Sequence, residues 1–107
     1  MEDLFSEHGT VEELLFDDEF VGHMADEGRQ YEKHKVTMRE IRQVHSNVPA
    51  YFLNGEGRRA PLIMLGPTDS GRMLVVPLEP THMHGVWHPV TAFEANRHHI
   101  RRYEERK

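Results

Sequence analysis

The order of apolar and polar positions predicts helices at both ends of the chain and strands in the middle. A loosely helical spacing of apolar residues predicts a first helix over residues 11–24, although residues 16–18 also fit a short strand and turn. A second helix is predicted over residues 38–45, where apolar side chains recur on one face, and Pro49 ends it. A final helix is predicted over residues 92–106. Its apolar stripe, which we expect to pack on a sheet, contains Phe93, Asn96, Ile100 and Tyr103.

The middle of the chain has the short apolar runs and turn residues that are typical of strands. Turn chemistry rich in Gly, Pro, Asn and Asp separates the runs, and residues 81–85 are predicted to form a hairpin loop. Pro77 lies within one run, although proline cannot donate to a strand ladder and prefers edges. The predicted strands cover residues 50–53, 61–65, 73–78 and 86–91.

Three sequence motifs predict where the helices begin. A capping box pairs a Ser or Thr at the N-cap with a Glu or Gln three residues later, so that two free backbone donors are satisfied. The three boxes are Thr10 with Glu13, Thr37 with Glu40, and Thr91 with Glu94. Together with the strands, they predict one α+β domain over residues 1–107, with N-terminal helices, an antiparallel sheet of three to four strands and a C-terminal helix.

Composition narrows the class of protein. The chain has no cysteine, which excludes a disulfide scaffold and a thiolate metal site. No apolar run approaches the ~20 residues of a membrane span, and no basic residue leads an apolar run near Met1. These features predict a cytoplasmic protein without a membrane partner.

The net charge of −5 conceals an unequal distribution. Residues 1–32 carry eleven carboxylates and one base, whereas residues 33–107 carry twelve bases and seven carboxylates. Such asymmetry suggests an anionic partner for the basic part. Residues 1–32 form an acidic extension or helix that either covers the basic final helix or is an ordinary core element with solvated carboxylates.

Several phrases of the sequence, in their order and spacing, resemble one family. Residues 33–37 read Lys-His-Lys-Val-Thr, a Gly-Arg turn precedes the apolar run at 73–78, residues 90–93 read Val-Thr-Ala-Phe, and residues 101–105 read Arg-Arg-Tyr-Glu-Glu. Over residues 16–107 the chain looks like a BrnT-type toxin, one of the RelE-like ribonuclease toxins of type II toxin–antitoxin systems. At the position of Lys35 the family usually has glycine, and at the position of Phe93 it usually has arginine.

The resemblance implies a RelE-like fold, a metal-independent endoribonuclease activity without a cofactor, RNA as substrate, and a cognate antitoxin as partner. Because the usual arginine is replaced by Phe93, a non-catalytic RelE-fold binding module, that is an inactive toxin homologue, is the alternative function.

The residues themselves fit this chemistry. Cleavage through the RNA 2′-hydroxyl needs a base, an acid and cations that stabilise the phosphate, and His and Arg suit these tasks. The predicted catalytic residues are His88, Arg97, His34 and Arg101. The predicted RNA-binding residues are Arg72, Arg102, Lys33 and Lys35.

These residues could instead have purely structural roles. His88 could alternate outward beside a buried Trp87, the arginines could form a solvated helix face, and Lys33 with His34 could only flank an N-cap. A metal site at His82, His84 and His88 is the competing constellation, but the set lacks the firm spacing of zinc sites, so we predict no metal.

Overall fold

The computed structural model describes residues 1–16, 36–55, 57 and 59–106, which form an α+β fold. These residues build three helices and six strands. The helices are α1 (Glu2–His8), α2 (Met38–Ser46) and α3 (Arg97–Glu105). The strands are β1 (Glu13–Leu14), β2 (Ala50–Leu53), β3 (Leu62–Pro67), β4 (Met73–Pro80), β5 (Val86–Pro89) and β6 (Phe93–Glu94).

The sheet is mixed, in the order β1-β5-β4-β3-β2, with β6 beside β4. Neighbours from β2 to β5 are antiparallel, as is β6 with β4, whereas β1 is parallel to β5. The four predicted strands, β2 to β5, are therefore confirmed as antiparallel. The prediction of a wholly antiparallel sheet of three to four strands is wrong, because β1 adds a parallel pair and the described residues form six strands. The eight-residue β4 pairs with β3 along one edge and with both β5 and β6 along the other.

The sheet separates two layers of helices. On one face, α1 and α2 enclose the main core, to which Ile41 and Val44 contribute fully buried side chains. The sheet contributes fully buried residues to the same core: Leu62, Met64, Leu74, Val76, Leu78 and Trp87. On the other face, Phe52 contacts Arg102 of α3. Alternation along the strands places Ala50, Leu65 and Val75 on this second face.

The capping-box prediction is right at one of three places. Thr37 caps α2, where its side chain accepts from the Glu40 amide at 3.1 Å and Glu40 accepts from the Thr37 amide at 3.0 Å. The helix predicted over residues 38–45 is thereby confirmed, as are the strands predicted in the middle of the chain.

The first predicted helix is wrong over residues 11–16, and its remainder lies outside the described residues. Glu13 belongs to β1, because the amides of Glu12 and Glu13 each donate to the Gly85 carbonyl at 3.0 Å. Leu15 continues the pairing by donating to the Trp87 carbonyl at 2.8 Å. The backbone amides of residues 12, 13 and 15 bond carbonyl groups at the edge of β5. They therefore cannot make the bonds of a local helix, and the Thr10–Glu13 box does not form. A helix over Glu2–His8 was not predicted.

The last helix begins five residues later than predicted. Phe93 and Glu94 pair with Val75 and Leu74 as β6, and Asn96 instead caps α3. The reason is the length of β4: β5 covers only its C-terminal end, so its N-terminal half has open hydrogen-bonding groups that β6 occupies. Ile100 and Tyr103 are half-buried against the sheet, as the apolar stripe predicts.

The described part of the acidic N-terminus is a core element. Leu4 and Phe5 of α1 pack on the main core, and the Phe5 ring meets the rings of Tyr51 and Trp87 edge to face at 6.0 and 6.2 Å. Burial in this cluster raises the pKa of Tyr51 to about 12. The α1 side of the sheet is opposite the side of α3, so residues 1–16 do not cover the basic helix. Residues 17–32 lie outside the described residues.

Replacement of Phe5 by Ala tests the role of α1. We expect Phe5→Ala to lower the free energy of unfolding by about 2–3 kcal/mol, because it leaves a cavity between Tyr51 and Trp87. Chemical denaturation measures the change. Ser6→Ala, an exposed change on the same helix, is the control and is expected to be nearly neutral. Equal stability of the two variants would show that α1 is not a core element.

Candidate nucleic-acid interface

The C-terminal helix carries four exposed arginines, which we call the α3 arginine surface: Arg97, Arg101, Arg102 and Arg106. Arg97 and Arg101 are one turn apart, so their side chains are neighbours on the helix. No described carboxylate lies within ion-pairing distance of either. Their charges are thus exposed to solvent.

The other two arginines of this surface are held against the domain. The Arg102 guanidinium lies over the Phe52 ring, 4.2 Å from its centroid. Arg106 lies over the Tyr103 ring at 4.9 Å and donates to the Val48 carbonyl at 3.2 Å. These contacts anchor the C-terminal end of the surface on β2 and on the turn before it.

Arg72 has a structural environment. Its guanidinium bonds the Glu40 carboxylate of α2 at 3.1 Å and the Glu94 carboxylate of β6 at 3.2 Å. The Glu40 carboxylate also closes the α2 capping box. Arg72 therefore joins three elements, and two carboxylates balance the charge that the sequence suggested for a phosphate.

His88 is buried, with 6% of its surface exposed. Its Nδ1 lies 2.9 Å from the Leu15 carbonyl and donates to it, because a carbonyl oxygen only accepts. Its Nε2 lies 3.7 Å from Glu79, which in turn accepts two bonds from Arg59 at 3.0 and 3.1 Å. His88 thus connects the end of β1 to β4, whereas Arg97 and Arg101 belong to α3.

The predicted residues Lys33, His34 and Lys35 lie outside the described residues. The described chain resumes at Val36, which is fully buried just before the α2 cap. In sequence, Val36 and the N-cap Thr37 separate these three residues from α2, the helix whose Glu40 binds Arg72.

Phe93 is the position at which the resemblance predicts an arginine. It is half-buried on β6 opposite Val75, and its ring meets the His99 ring at 6.3 Å. An apolar contact at the start of α3 therefore stands where the resemblance implies a cation.

His99 has a role in capping α3 that the sequence pattern did not predict. Its Nδ1 accepts from the Asn96 amide at 3.2 Å, and its amide donates to the Asn96 side chain at 2.9 Å. The two residues form a capping box in which a neutral imidazole replaces the usual Glu. Desolvation, then the charges of His98 and Arg102, lower the pKa of His99 from its ordinary 6.5. Asn96 was a recognisable N-cap, but the Thr91–Glu94 pair fitted the standard motif better.

No metal cluster is found among the described residues, in which no three His, Asp or Glu side chains converge. His82 and His84 are exposed on the loop before β5, whereas His88 belongs to β5 itself and is buried. The three histidines that competed with the ribonuclease interpretation thus do not form one site.

A cleft of about 320 Å³ lies where β1 meets α2. The ring of Phe16 supports the Arg42 guanidinium 4.7 Å away at its rim, and His45 Nε2 bonds the Val11 carbonyl at 2.7 Å. Its lining combines apolar Leu14 with five polar residues: Glu12, Glu13, Arg42, His45 and Ser46. Sequence reasoning missed this cleft because β1 was predicted as a helix.

None of the described helices is long and apolar enough to cross a bilayer. No protein-family model matches the chain, and no curated protein is significantly similar to it.

The pH dependence of stability tests the His99 cap. Desolvation and the charges of His98 and Arg102 lower the pKa of His99 in the folded state below its ordinary 6.5, and a protonated imidazole cannot accept the bond from the Asn96 amide. The contribution is present above that value and is lost as the pH falls toward the lower folded-state pKa. Between about pH 7.5 and pH 5, wild type should lose more thermal stability than His99→Gln, because glutamine keeps the box without titrating. Equal losses would contradict the proposed cap.

Proposed function

We propose that this protein is a RelE-like toxin of the BrnT type that binds RNA through the α3 arginine surface and cleaves it without a metal. The observation that supports the proposal is the pair Arg97 and Arg101, exposed and without a described carboxylate partner. Planar guanidinium groups bind phosphate oxygens with two parallel hydrogen bonds, and phosphate contacts supply most of the affinity for nucleic acid. Arg102, stacked on Phe52, extends the same surface.

Cleavage requires proton transfer in addition to phosphate binding. The 2′-hydroxyl must lose a proton as it attacks, and the departing 5′-oxygen must gain one. His34 is our first choice for these transfers, because His88 is buried and bonded to the Leu15 carbonyl. Arg97 and Arg101 would then stabilise the charge on the phosphate during the reaction.

A second candidate function is a non-catalytic RelE-fold module that binds RNA without cleaving it. Three observations favour it: Phe93 replaces the usual arginine, two carboxylates neutralise Arg72, and His88 supports the fold. The toxin candidate implies a cognate antitoxin as partner, and both candidates are compatible with the predicted cytoplasmic location.

RNA binding by purified protein tests what the two candidates share. We expect Arg97→Ala/Arg101→Ala to weaken binding of a labelled single-stranded RNA about tenfold or more at low salt, measured by fluorescence anisotropy. The slope of log affinity against log salt should fall by about 0.7 for each phosphate that the variant no longer neutralises. Arg39→Ala removes an exposed arginine from α2, on the other side of the sheet, and is the matched control. Equal affinities of the two variants would contradict the interface.

Cleavage of the same RNA in the presence of a chelator separates the two candidates. A ribonuclease should lose about 10²–10⁴-fold in rate on His34→Ala. His88→Ala is compared at matched fractions of folded protein, because it removes a hydrogen bond from β1. RNA that is bound but remains intact in wild type would support the non-catalytic module and exclude the nuclease.

A further inference from the structure

Within the described part of the chain, the outward hydrogen-bonding groups of β2 have no strand beside them. β2 is the terminal strand of the sheet, and no described residue pairs with its outer edge. The Asn54 amide donates to the Pro61 carbonyl at 2.8 Å, which fixes the alternation of the antiparallel ladder. Phe52 therefore bonds Ile63, while the amide and carbonyl groups of Tyr51 and Leu53 point outward.

An apolar cleft with an acidic rim lies on the α1 side of this edge. It encloses about 400 Å³ between α1 and the hairpin of β2 and β3. Leu53 is 55% exposed and Met1 is 41% exposed, so apolar surface remains open here. Leu4 and Pro61 complete the apolar wall, and the carboxylates of Asp3 and Glu7 also line the cleft.

The opposite side of the same edge is basic. The Arg102 guanidinium lies over Phe52, the residue between Tyr51 and Leu53. Arg106 reaches the Val48 carbonyl just before the strand begins. A strand added to β2 would point alternate side chains to the two sides, so one set would meet carboxylates and the other would meet arginines.

A second copy of this chain is a poor occupant of the edge. In a two-fold antiparallel pairing of β2 strands, the acidic rim of one copy would face the acidic rim of the other. The arginines would likewise face arginines on the other side of the sheet, and like charges oppose association. A partner strand avoids both repulsions if its side chains are basic on the side of the acidic rim and acidic on the side of the arginines.

We propose that the β2 edge binds an extended segment of a partner protein by strand addition. The segment carries apolar and basic side chains toward α1 and acidic side chains toward Arg102 and Arg106. Main-chain bonds to Tyr51 and Leu53 provide affinity, and the alternating charges provide specificity. Pro49 and the four-residue length of β2 limit the contact to a short segment. The inference does not rest on the proposed RNA binding, although Arg102 belongs to both surfaces.

A synthetic peptide tests the inference. The probe is a labelled, capped peptide of about eight residues, in which leucine and lysine alternate with glutamate. We expect saturable binding to the full chain by fluorescence anisotropy. The same peptide with N-methylated backbone amides should not bind, because it cannot pair with a strand. Failure of the unmodified peptide to bind at about 1 mM would overturn the inference.

Leu53→Lys should weaken peptide binding about tenfold or more, since it places a cation in the apolar cleft beside the peptide lysines. Met83→Lys makes the same kind of change on the exposed loop before β5 and should bind as wild type does. Melting temperatures confirm that both variants are folded. Equal weakening in both variants would contradict the assigned cleft.

Hydrogen exchange of single amides defines the binding mode. In the free protein the Phe52 amide should be protected, while those of Tyr51 and Leu53 exchange rapidly. The peptide should protect Tyr51 and Leu53. Peptide binding without this protection would overturn strand addition. Sedimentation that shows a wild-type dimer, and only monomer for Leu53→Lys, would instead assign the edge to a second copy.

Discussion

The burial of Trp87 is the constraint on which the N-terminal half of the fold depends. The indole is fully buried, and its Nε1 donates to the Gly9 carbonyl at 3.1 Å. Loss of such a bond leaves a buried donor unsatisfied, at a cost of about 1–3 kcal/mol. The same residue supplies a ring surface for Phe5 and a backbone carbonyl for Leu15. One residue, through its side chain and its backbone carbonyl, therefore fixes α1, the turn at Gly9 and β1.

Two glycines make this arrangement possible. Gly9 and Gly85 have φ values of 84° and 82°, in the left-handed region that side chains rarely adopt. A Cβ on Gly9 would lie 2.7 Å from the Gly85 nitrogen, and one on Gly85 would meet the Glu12 carboxylate. The Gly85 amide donates to the His8 carbonyl at 2.7 Å. The N-terminal segment can thus lie directly on the loop before β5, so its acidic residues are part of the core side of the sheet.

The sheet keeps the acidic and basic parts of the molecule apart. The carboxylates of α1 lie on the core side, and the α3 arginine surface lies on the other. Arg72 connects α2 to the sheet at the turn before β4, where it bonds one carboxylate from α2 and one from β6. The proposed RNA interface and the proposed strand-binding edge meet at Arg102, which belongs to α3 and covers Phe52 of β2. A partner bound at the edge would therefore compete directly for a cation of the RNA interface.

The sequence by itself determined the elements whose signals are local. Continuous apolar runs predicted β2 to β5, and the Thr37–Glu40 box placed the start of α2, because burial patterns and caps act over a few residues. It also placed Arg97, Arg101 and Arg102 on one exposed helix, which is the part of the candidate site that the structure retains.

Tertiary structure decided whether the other two capping boxes form. The open edges of β5 and β4 drew Glu13 and Glu94 into strands, and no pattern in either short segment records a partner more than seventy or about twenty residues away. The environments of His88 and Arg72 were likewise decided by distant residues, Leu15 and Glu40, since a titratable side chain has the same local sequence whether its partner is solvent, substrate or the fold itself.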